Sequence, residues 1–438
     1  MGVKLLASEA AVLRYLRIHS DIPVPEAHDY CASSDNDIRI PFILMNEAPG
    51  WPLSKAWKLA GSPQPGLDMR SKAKVLAQLG GITWKLSQLR FDKIGLLFEE
   101  NGFFLIRECL SRGHVLHERY ALEVARGPFT SELEFYDSLV SAFSEHAEIL
   151  QLSHHCFVAP VPSFDDYPSS TQYRSAVGLW NDFVTIGRKI DTSDNRLDYI
   201  IVGDALRDIV QKLQLGAVNP GTFPLSHADL SVNNIYVDDE YNITCIIDWA
   251  FTSSVPESML LATPGLPHYY EEISSELHTP FIDGFIDAMP GFMERRSIHR
   301  YRESLEQGRI AWRLSRLLGM DSIGDYDLLA TVWHFAYDPG KDIGQHFLQR
   351  QYSAHYLRLY EEVQMGDQPL SKIRKDEEDY FRNKEFRETI ARKLTLVSER
   401  KTQYTVNDSR RLRKDMFVAS SKLWKWIQQF MQDWAAMS

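Results

Sequence analysis

The sequence predicts an α+β fold, and three observations carry that expectation. Short β-prone runs separated by turns occur near Ala27–Ala32, Ile38–Met45 and Ile94–Ile106. Two more, Ile235-Tyr236-Val237 and Ile243 to Ile247, flank the acidic turn Asp238-Asp239-Glu240-Tyr241-Asn242 and read as a hairpin. Apolar residues recur at helical spacing over Asp68–Arg90 and again, repeatedly, from about Glu294 onward. The 438 residues suggest two or three domains, and a 44% hydrophobic share with 10 Trp, 19 Tyr and 22 Phe is enough for a large core.

In chain order, Ser8-Glu9 opens a helix with Val12, Leu13 and Leu16 on one face and Ser8 as its N-cap. Asp21-Ile22-Pro23-Val24-Pro25 ends it, because each proline holds its predecessor in extended backbone. Ser33-Ser34-Asp35-Asn36-Asp37 is a turn between the first two strands. The second strand runs into Met45-Asn46-Glu47-Ala48-Pro49-Gly50. After a Pro/Gly loop at 61–66, Asp68 caps a helix to about Arg90, striped by Val75, Leu76, Leu79, Ile82, Leu86 and Leu89. Gly80-Gly81 within it lowers helix propensity and signals close packing. Ile94–Phe98 and Phe103–Ile106 form a small hairpin. Helices are expected near Ser131–Leu152, Thr171–Ile190 and Leu197–Leu215, and then Pro220 and Pro224 lead into the hairpin region. Ser253–Pro267 reads as irregular. Helices follow near Ser297–Leu318, Tyr326–Ala336, Ile343–Val363, Leu370–Val397 and Arg410–Met431. The stripe of Trp424, Trp426, Ile427, Phe430, Met431 and Trp434 reads as a face packed on the body, with a membrane surface or a partner as the alternative, and Lys401 with Arg410–Lys414 as a solvated basic face.

Composition removes several classes. The four cysteines, Cys31, Cys109, Cys156 and Cys245, form no C-x-x-C, which argues against a disulfide framework or a cysteine zinc site and fits a reducing, cytoplasmic setting. No apolar run is long enough for a membrane span. His114-x-x-His117 and His154-His155 have no second ligand pair at zinc spacing. The net charge of −11 is uneven. Gly366–Ser438 holds 16 Lys+Arg against 11 Asp+Glu, a net of +5, so the remainder carries −16. An acidic body suits a cationic small molecule and argues against nucleic acid.

The hairpin gives the chain its chemistry. It brings the loop before it, Ser226-His227-Ala228-Asp229-Leu230-Ser231-Val232-Asn233-Asn234, to the same end as Asp248 after it. Asp229, Asn234 and Asp248 can therefore converge although the two aspartates are 19 positions apart. Phosphoryl transfer needs such a group: one carboxylate to accept the proton of the attacking hydroxyl, and an amide and a second carboxylate to hold Mg²⁺.

His227-x-Asp229-x-x-x-x-Asn234, followed after the hairpin by Ile246-Ile247-Asp248-Trp249, resembles the aminoglycoside phosphotransferases and related small-molecule kinases. The upstream order is similar to fungal members: a helix carrying Glu9, then Ile22-Pro23-Val24-Pro25, then Pro41–Met45, a hinge ending in Gly50, and Trp51-Pro52-Leu53 with Trp57. The resemblance implies a protein-kinase-like fold. Residues 1–50 would be a remnant of the N-terminal nucleotide-binding lobe and hinge, 51–290 the C-terminal catalytic lobe, and 291–438 a helical extension packed on it. It implies Asp229 as catalytic base, His227 as its brace, and Asn234 and Asp248 as Mg²⁺ ligands. Glu9 would pair with a lysine of a preceding strand, and the Asn46 and Ala48 backbone would meet the adenine of ATP. The implied reaction is transfer of the ATP γ-phosphoryl group to a hydroxyl of a small molecule.

Two departures qualify the resemblance. Only eight residues precede Glu9, where the family carries a Gly-rich hairpin and the lysine strand, and no G-x-G-x-x-G or G-x-x-x-x-G-K-[ST] occurs elsewhere. Ala250 follows Trp249 where the family has Glu. The sequence thus reads as a phosphotransferase truncated in its small lobe, with a non-catalytic kinase-like binding protein as the alternative.

Overall fold

The computed structural model describes residues 1–57, 66–115, 119–149, 169–171, 193–213, 218–267, 272–320 and 325–364. The chain is mixed α+β. Helices are α1 (Gly2–His19), α2 (Met69–Gln88), α3 (Arg112–Val115), α4 (Glu132–Ile149), α5 (Ser193–Lys212), α6 (Glu257–Leu260), α7 (Ser275–Asp287), α8 (Arg295–Gly319), α9 (Asp325–Ala336), α10 (Ile343–Gln351) and α11 (Ala354–Gln364). Strands are β1 (Ala27–Cys31), β2 (Phe42–Met45), β3 (Trp51–Pro52), β4 (Arg90–Phe91), β5 (Gly95–Glu100), β6 (Phe103–Ile106), β7 (Phe223–Ser226), β8 (Ile235–Val237), β9 (Ile243–Ile246) and β10 (Ser253–Ser254). The expected helices over Leu370–Val397 and Arg410–Met431, nearly all of Thr171–Ile190, and the Trp424–Trp434 stripe lie outside the described residues.

By contacts the chain divides into two compact units. One comprises Met1–Lys58, Gln64–Ala142 and Ile209–Gly319, and the other Leu59–Pro63, Phe143–Asp208 and Met320–Ser438. The strands lie in the first, in three small antiparallel sheets ordered β1-β2, β4-β7-β10-β5-β6 and β3-β8-β9.

The first helix starts at Gly2, not at Ser8. Ser8 is buried inside it and caps nothing, because Leu5-Leu6-Ala7 are good helix formers that extend the run upstream. The proline segment then runs extended, with Ile22 and Val24 buried, and the Pro23 carbonyl accepts the Ile246 N–H at 2.8 Å. That bond ties the segment after α1 to the end of β9. Asp68 caps α2 as its sequence predicts, accepting the Ser71 N–H at 3.0 Å.

α2 and α7 pack backbone to backbone. A Cβ on Gly80 would lie 2.1 Å from the Phe281 carbonyl oxygen, and one on Gly284 would lie 2.0 Å from that of Ala77. The close approach expected at Gly80-Gly81 is therefore real, and its partner is a helix the sequence reading did not identify. α7 carries Leu277, Phe281, Ile282 and Phe285 on its buried face but also Pro280, which weakens the helical signal. Trp84 meets Phe285 and Tyr301 edge-on at 5.5 and 5.8 Å in the same core.

The predicted Ile94–Ile106 hairpin is β5–β6, turned by Asn101-Gly102 with both residues at positive φ. It belongs to a five-stranded sheet that sequence reading could not assemble, because β4 and β10 are two residues long. Ser253 pairs with both Leu96 and Ser226, so β10 joins β5 to β7. Ser253–Pro267, expected to be irregular, also contains α6. Its Glu257 is 1% exposed. One oxygen pairs with Arg90 at 2.7 Å and the other accepts the Val218 and Asn219 N–H groups. Removing one partner of a buried pair strands the other, so Glu257→Ala is expected to lower stability by about 3–5 kcal/mol in urea unfolding.

In the second unit, the single helix expected over Ile343–Val363 is two. Tyr352-Ser353 breaks it, and the Ser353 hydroxyl accepts the Tyr356 N–H at 3.3 Å to start α11. Gln351 donates to Asp198 at 2.8 Å, and Tyr356 hydrogen-bonds Asp204, so α10 and α11 are both tied to α5.

Candidate active site

The hairpin predicted from the sequence is β8–β9, with Ile235 opposite Ile246 and Tyr236 opposite Cys245. Its turn is held by Asp238, whose carboxylate accepts the N–H groups of Glu240 and Asn242 and the Asn242 side-chain amide. Helix α2 grips the same turn: Lys74 donates to the Glu240 carbonyl at 2.7 Å, and Gln78 bonds the Tyr241 carbonyl and the Ile243 N–H. β3 extends this sheet, with Trp51 opposite Val237. At the mouth of the hairpin the Ile247 N–H donates to the Asn234 carbonyl at 2.9 Å, fixing the two ends together.

His227, Asp229 and Asn234 are linked there by hydrogen bonds. His227 is buried, and its Nδ1 accepts the Asp229 N–H at 3.0 Å. Nδ1 therefore carries no proton, and the protonated Nε2 donates to the Ile247 carbonyl at 3.1 Å. The ring also lies 4.6 Å from the Trp249 ring, edge to face. It thus clamps the loop before the hairpin to the strand end after it. Asn234 is buried and its amide donates to the Asp229 carbonyl at 2.9 Å, which directs the amide nitrogen inward and leaves the oxygen as the group able to ligate.

Asp229 is partly buried. Its Oδ1 is enclosed with no hydrogen-bond partner, while Oδ2 lies 3.8 Å from Arg112 Nη1. Burial raises its pKa, the Asp248 charge raises it further, and Arg112 opposes both. Asp248 is exposed and sits at φ 61°, in the left-handed region that Asp tolerates better than most residues. Its charge reaches Asp229 and His227, and it reaches Glu9 as well.

Glu9 comes to this point from α1. Burial first, then the Asp248 charge, push its pKa up to about 7, against a hydrogen bond from the Trp249 backbone. Among the described residues, no lysine figures in what acts on its charge. Asn46 and Ala48 follow β2. The Asn46 N–H donates to the Glu26 carbonyl at 3.2 Å, and its side chain accepts the Glu26 N–H. The Ala48 N–H has no acceptor among the described residues. The next turn is bound to the hairpin: Thr244 donates to the Pro49 carbonyl, and a Cβ on Gly50, at φ 90°, would lie 2.4 Å from the Val237 carbonyl oxygen.

The donor set suits a hard cation. Asp229 carries a buried carboxylate oxygen without a partner, Asn234 is bound to the same loop, and the Asp248 charge acts on Asp229. Among the described residues, no cluster of three or more His, Cys, Asp and Glu side chains could hold a metal, so the fit depends on the Asn234 amide. His114 of the H-x-x-H pair is a structural residue. It is enclosed between the Ser111 and Ser138 hydroxyls, with its pKa lowered to about 3 by burial and by Arg126 and Arg119. Sequence reasoning missed Arg112, which lies just after the β5–β6 hairpin at no characteristic spacing from the loop it meets.

Burial lowers the pKa of His227 to about 4, although the Ile247 carbonyl and Asp248 pull the other way. The unfolded chain therefore takes up this proton first. The stability that neutral His227 contributes is complete above about pH 6.5 and lost as pH falls toward 4, a change on the order of 3 kcal/mol. His227→Asn is expected to flatten the fall in urea-unfolding stability across that window.

No family profile matches the chain. Two curated proteins are similar, both called subtelomeric hrmA-associated cluster proteins, from two strains of Aspergillus fumigatus. Each is 24% identical over 332 residues, which is 67% of this chain and 58% of the relative. The chain thus spans somewhat over half the length of these relatives. Among the described residues, no helix is long and apolar enough to cross a membrane.

Proposed function

We propose that the chain is an ATP- and Mg²⁺-dependent phosphotransferase of protein-kinase-like fold, similar to the aminoglycoside phosphotransferases, acting on a hydroxyl of a small molecule. The observation that carries this reading is the unpartnered buried oxygen of Asp229, on a loop held by His227 and Asn234 and acted on by the Asp248 charge. Asn234 and Asp248 would hold Mg²⁺, which supplies charge neutralisation on the phosphates. Asp229 orients the acceptor hydroxyl and takes its proton. As the acceptor oxygen bonds to the γ-phosphorus, the bond from that phosphorus to the bridging oxygen breaks and ADP leaves. His227 keeps the Asp229 loop in register with Asp248. Catalysis of this kind is mainly positioning and electrostatics. The acidic body favours a cationic acceptor, such as an aminoglycoside or a choline-like amine, over a neutral sugar.

A second reading, a kinase-like protein that holds nucleotide without transferring its phosphate, draws on Glu9, whose charge is acted on by carboxylate and backbone and, among the described residues, by no lysine. ADP release from Mg-ATP, measured with and without a panel of aminoglycosides, choline-like amines and sugars, separates the two. Mg²⁺-dependent release stimulated by one acceptor class supports transfer. Nucleotide binding with no release for any acceptor supports the second reading.

A further inference from the structure

Resting on the phosphotransferase reading, we infer that Phe251 is a positioning residue for Asp248: its side chain anchors the turn that follows the proposed metal ligand and so keeps that carboxylate in place after β9. The first ground is a turn with an unexpected residue in it. The Thr252 N–H donates to the Trp249 carbonyl at 3.2 Å, which closes Trp249-Ala250-Phe251-Thr252. Phe251 is third in that turn and has φ 62°. A type II turn has positive φ at this position and ordinarily takes Gly or Asn there. Asp248, three residues earlier, has φ 61°, so two left-handed residues bracket Trp249-Ala250. Asp tolerates that backbone, whereas a bulky aromatic residue does not adopt it readily. The segment carries another local cost. The Thr252 hydroxyl is buried and has no hydrogen-bond partner among the described residues.

The second ground is what offsets these costs. Phe251 packs against a buried apolar cluster of Leu96, Leu110 and Val115, as do Leu5 of α1 and Phe98 of β5. Leu96 is also the strand partner of Ser253, two residues beyond Phe251. The same cluster therefore holds this segment twice, through the Phe251 side chain and through the β5–β10 pairing. A residue in a sparsely populated backbone region persists where its surroundings over-determine it, and such residues gather at functional sites.

The third ground is that Asp248 depends on its neighbours for its place. Its own side chain is exposed, so burial does not hold it. Trp249 anchors the near end of the turn. It is 1% exposed, its Nε1 donates to the Ile246 carbonyl at 2.8 Å, and its ring meets that of His227. Phe251 anchors the far end. With both ends fixed, the Asp248 backbone stays left-handed before any metal arrives. Groups that orient a metal ligand from behind govern metal affinity without touching the metal.

The test measures two quantities on full-chain variants, Mg-ATP affinity by calorimetry and the urea-unfolding midpoint. Phe251→Ala should weaken Mg-ATP binding about ten-fold, the cost of losing a group that orients a metal ligand. Leu110→Ala opens the same apolar cluster at a position outside the turn. It should lower the urea midpoint and leave Mg-ATP affinity unchanged. Phe251→Leu restores an apolar anchor and should recover most of the affinity. Phe251→Gly frees the backbone but supplies no anchor, so it should be at least as stable as Phe251→Ala and bind Mg-ATP no better. A merely structural role predicts instead that affinity follows stability through the whole set. Should Phe251→Ala fail to fold, Phe251→Gly against Leu110→Ala gives the same comparison. Wild-type Mg-ATP affinity in the Phe251 variants, or an equal loss in Leu110→Ala, overturns the inference and leaves the phosphotransferase reading intact. A wild type that does not bind Mg-ATP overturns both.

Discussion

Asp229→Asn is expected to reduce phosphoryl transfer by about 10³-fold while leaving Mg-ATP affinity within a few-fold of wild type. A positioned general base contributes about 10²–10⁴-fold, and the amide cannot take a proton. The loop should survive the change. Its bonds to His227 and Asn234 use the Asp229 backbone N–H and carbonyl, not the carboxylate. The enclosed oxygen has no partner to lose. Steady-state turnover and calorimetric nucleotide binding on the same preparation check both halves. Retained turnover would move the base elsewhere, and lost binding would make Asp229 a ligand instead.

Asp248→Asn should act on the other half of the chemistry. Asn tolerates the left-handed backbone at φ 61° and keeps the side-chain size, so the substitution chiefly removes charge. Loss of even a supporting group around a metal typically costs about 10–100-fold in affinity, and loss of a ligand's charge should cost at least about 100-fold. Mg²⁺-dependent nucleotide binding is therefore expected to disappear at micromolar nucleotide. Binding that is unchanged in Asp248→Asn would remove this residue from the metal site.

Local grammar in the sequence carried far at this site. The Asp238–Asn242 turn and the two β-prone runs act over neighbouring residues, so the β8–β9 hairpin and the His227–Asn234 loop before it were legible. Asp68 capping α2 and the Gly80 close approach were legible for the same reason. What escaped depends on contacts distant in sequence. β4 and β10 are strands only because β7 lies between or beside them, and α7 is revealed by Gly284 facing Ala77 more than by its own pattern. Ser8 looked like a cap because a cap and a small buried helical residue share one side chain. Arg112 reaches Asp229 across more than a hundred residues, and no spacing rule connects them. The Asn46–Ala48 segment stands between these cases: its place after β2 was legible, but the pairing of Asn46 with Glu26 was not.

The most direct measurement is a calorimetric titration of the full chain with ATP, in Mg²⁺ and again in EDTA, followed by a melting scan at saturating nucleotide. The account predicts one saturable site that requires Mg²⁺, and a raised midpoint, since a ligand at 100 times its Kd adds about 2.7 kcal/mol to the native state. Absence of heat and of any midpoint shift at millimolar Mg-ATP would contradict the claim that the two aspartates and Asn234 form a nucleotide-metal site.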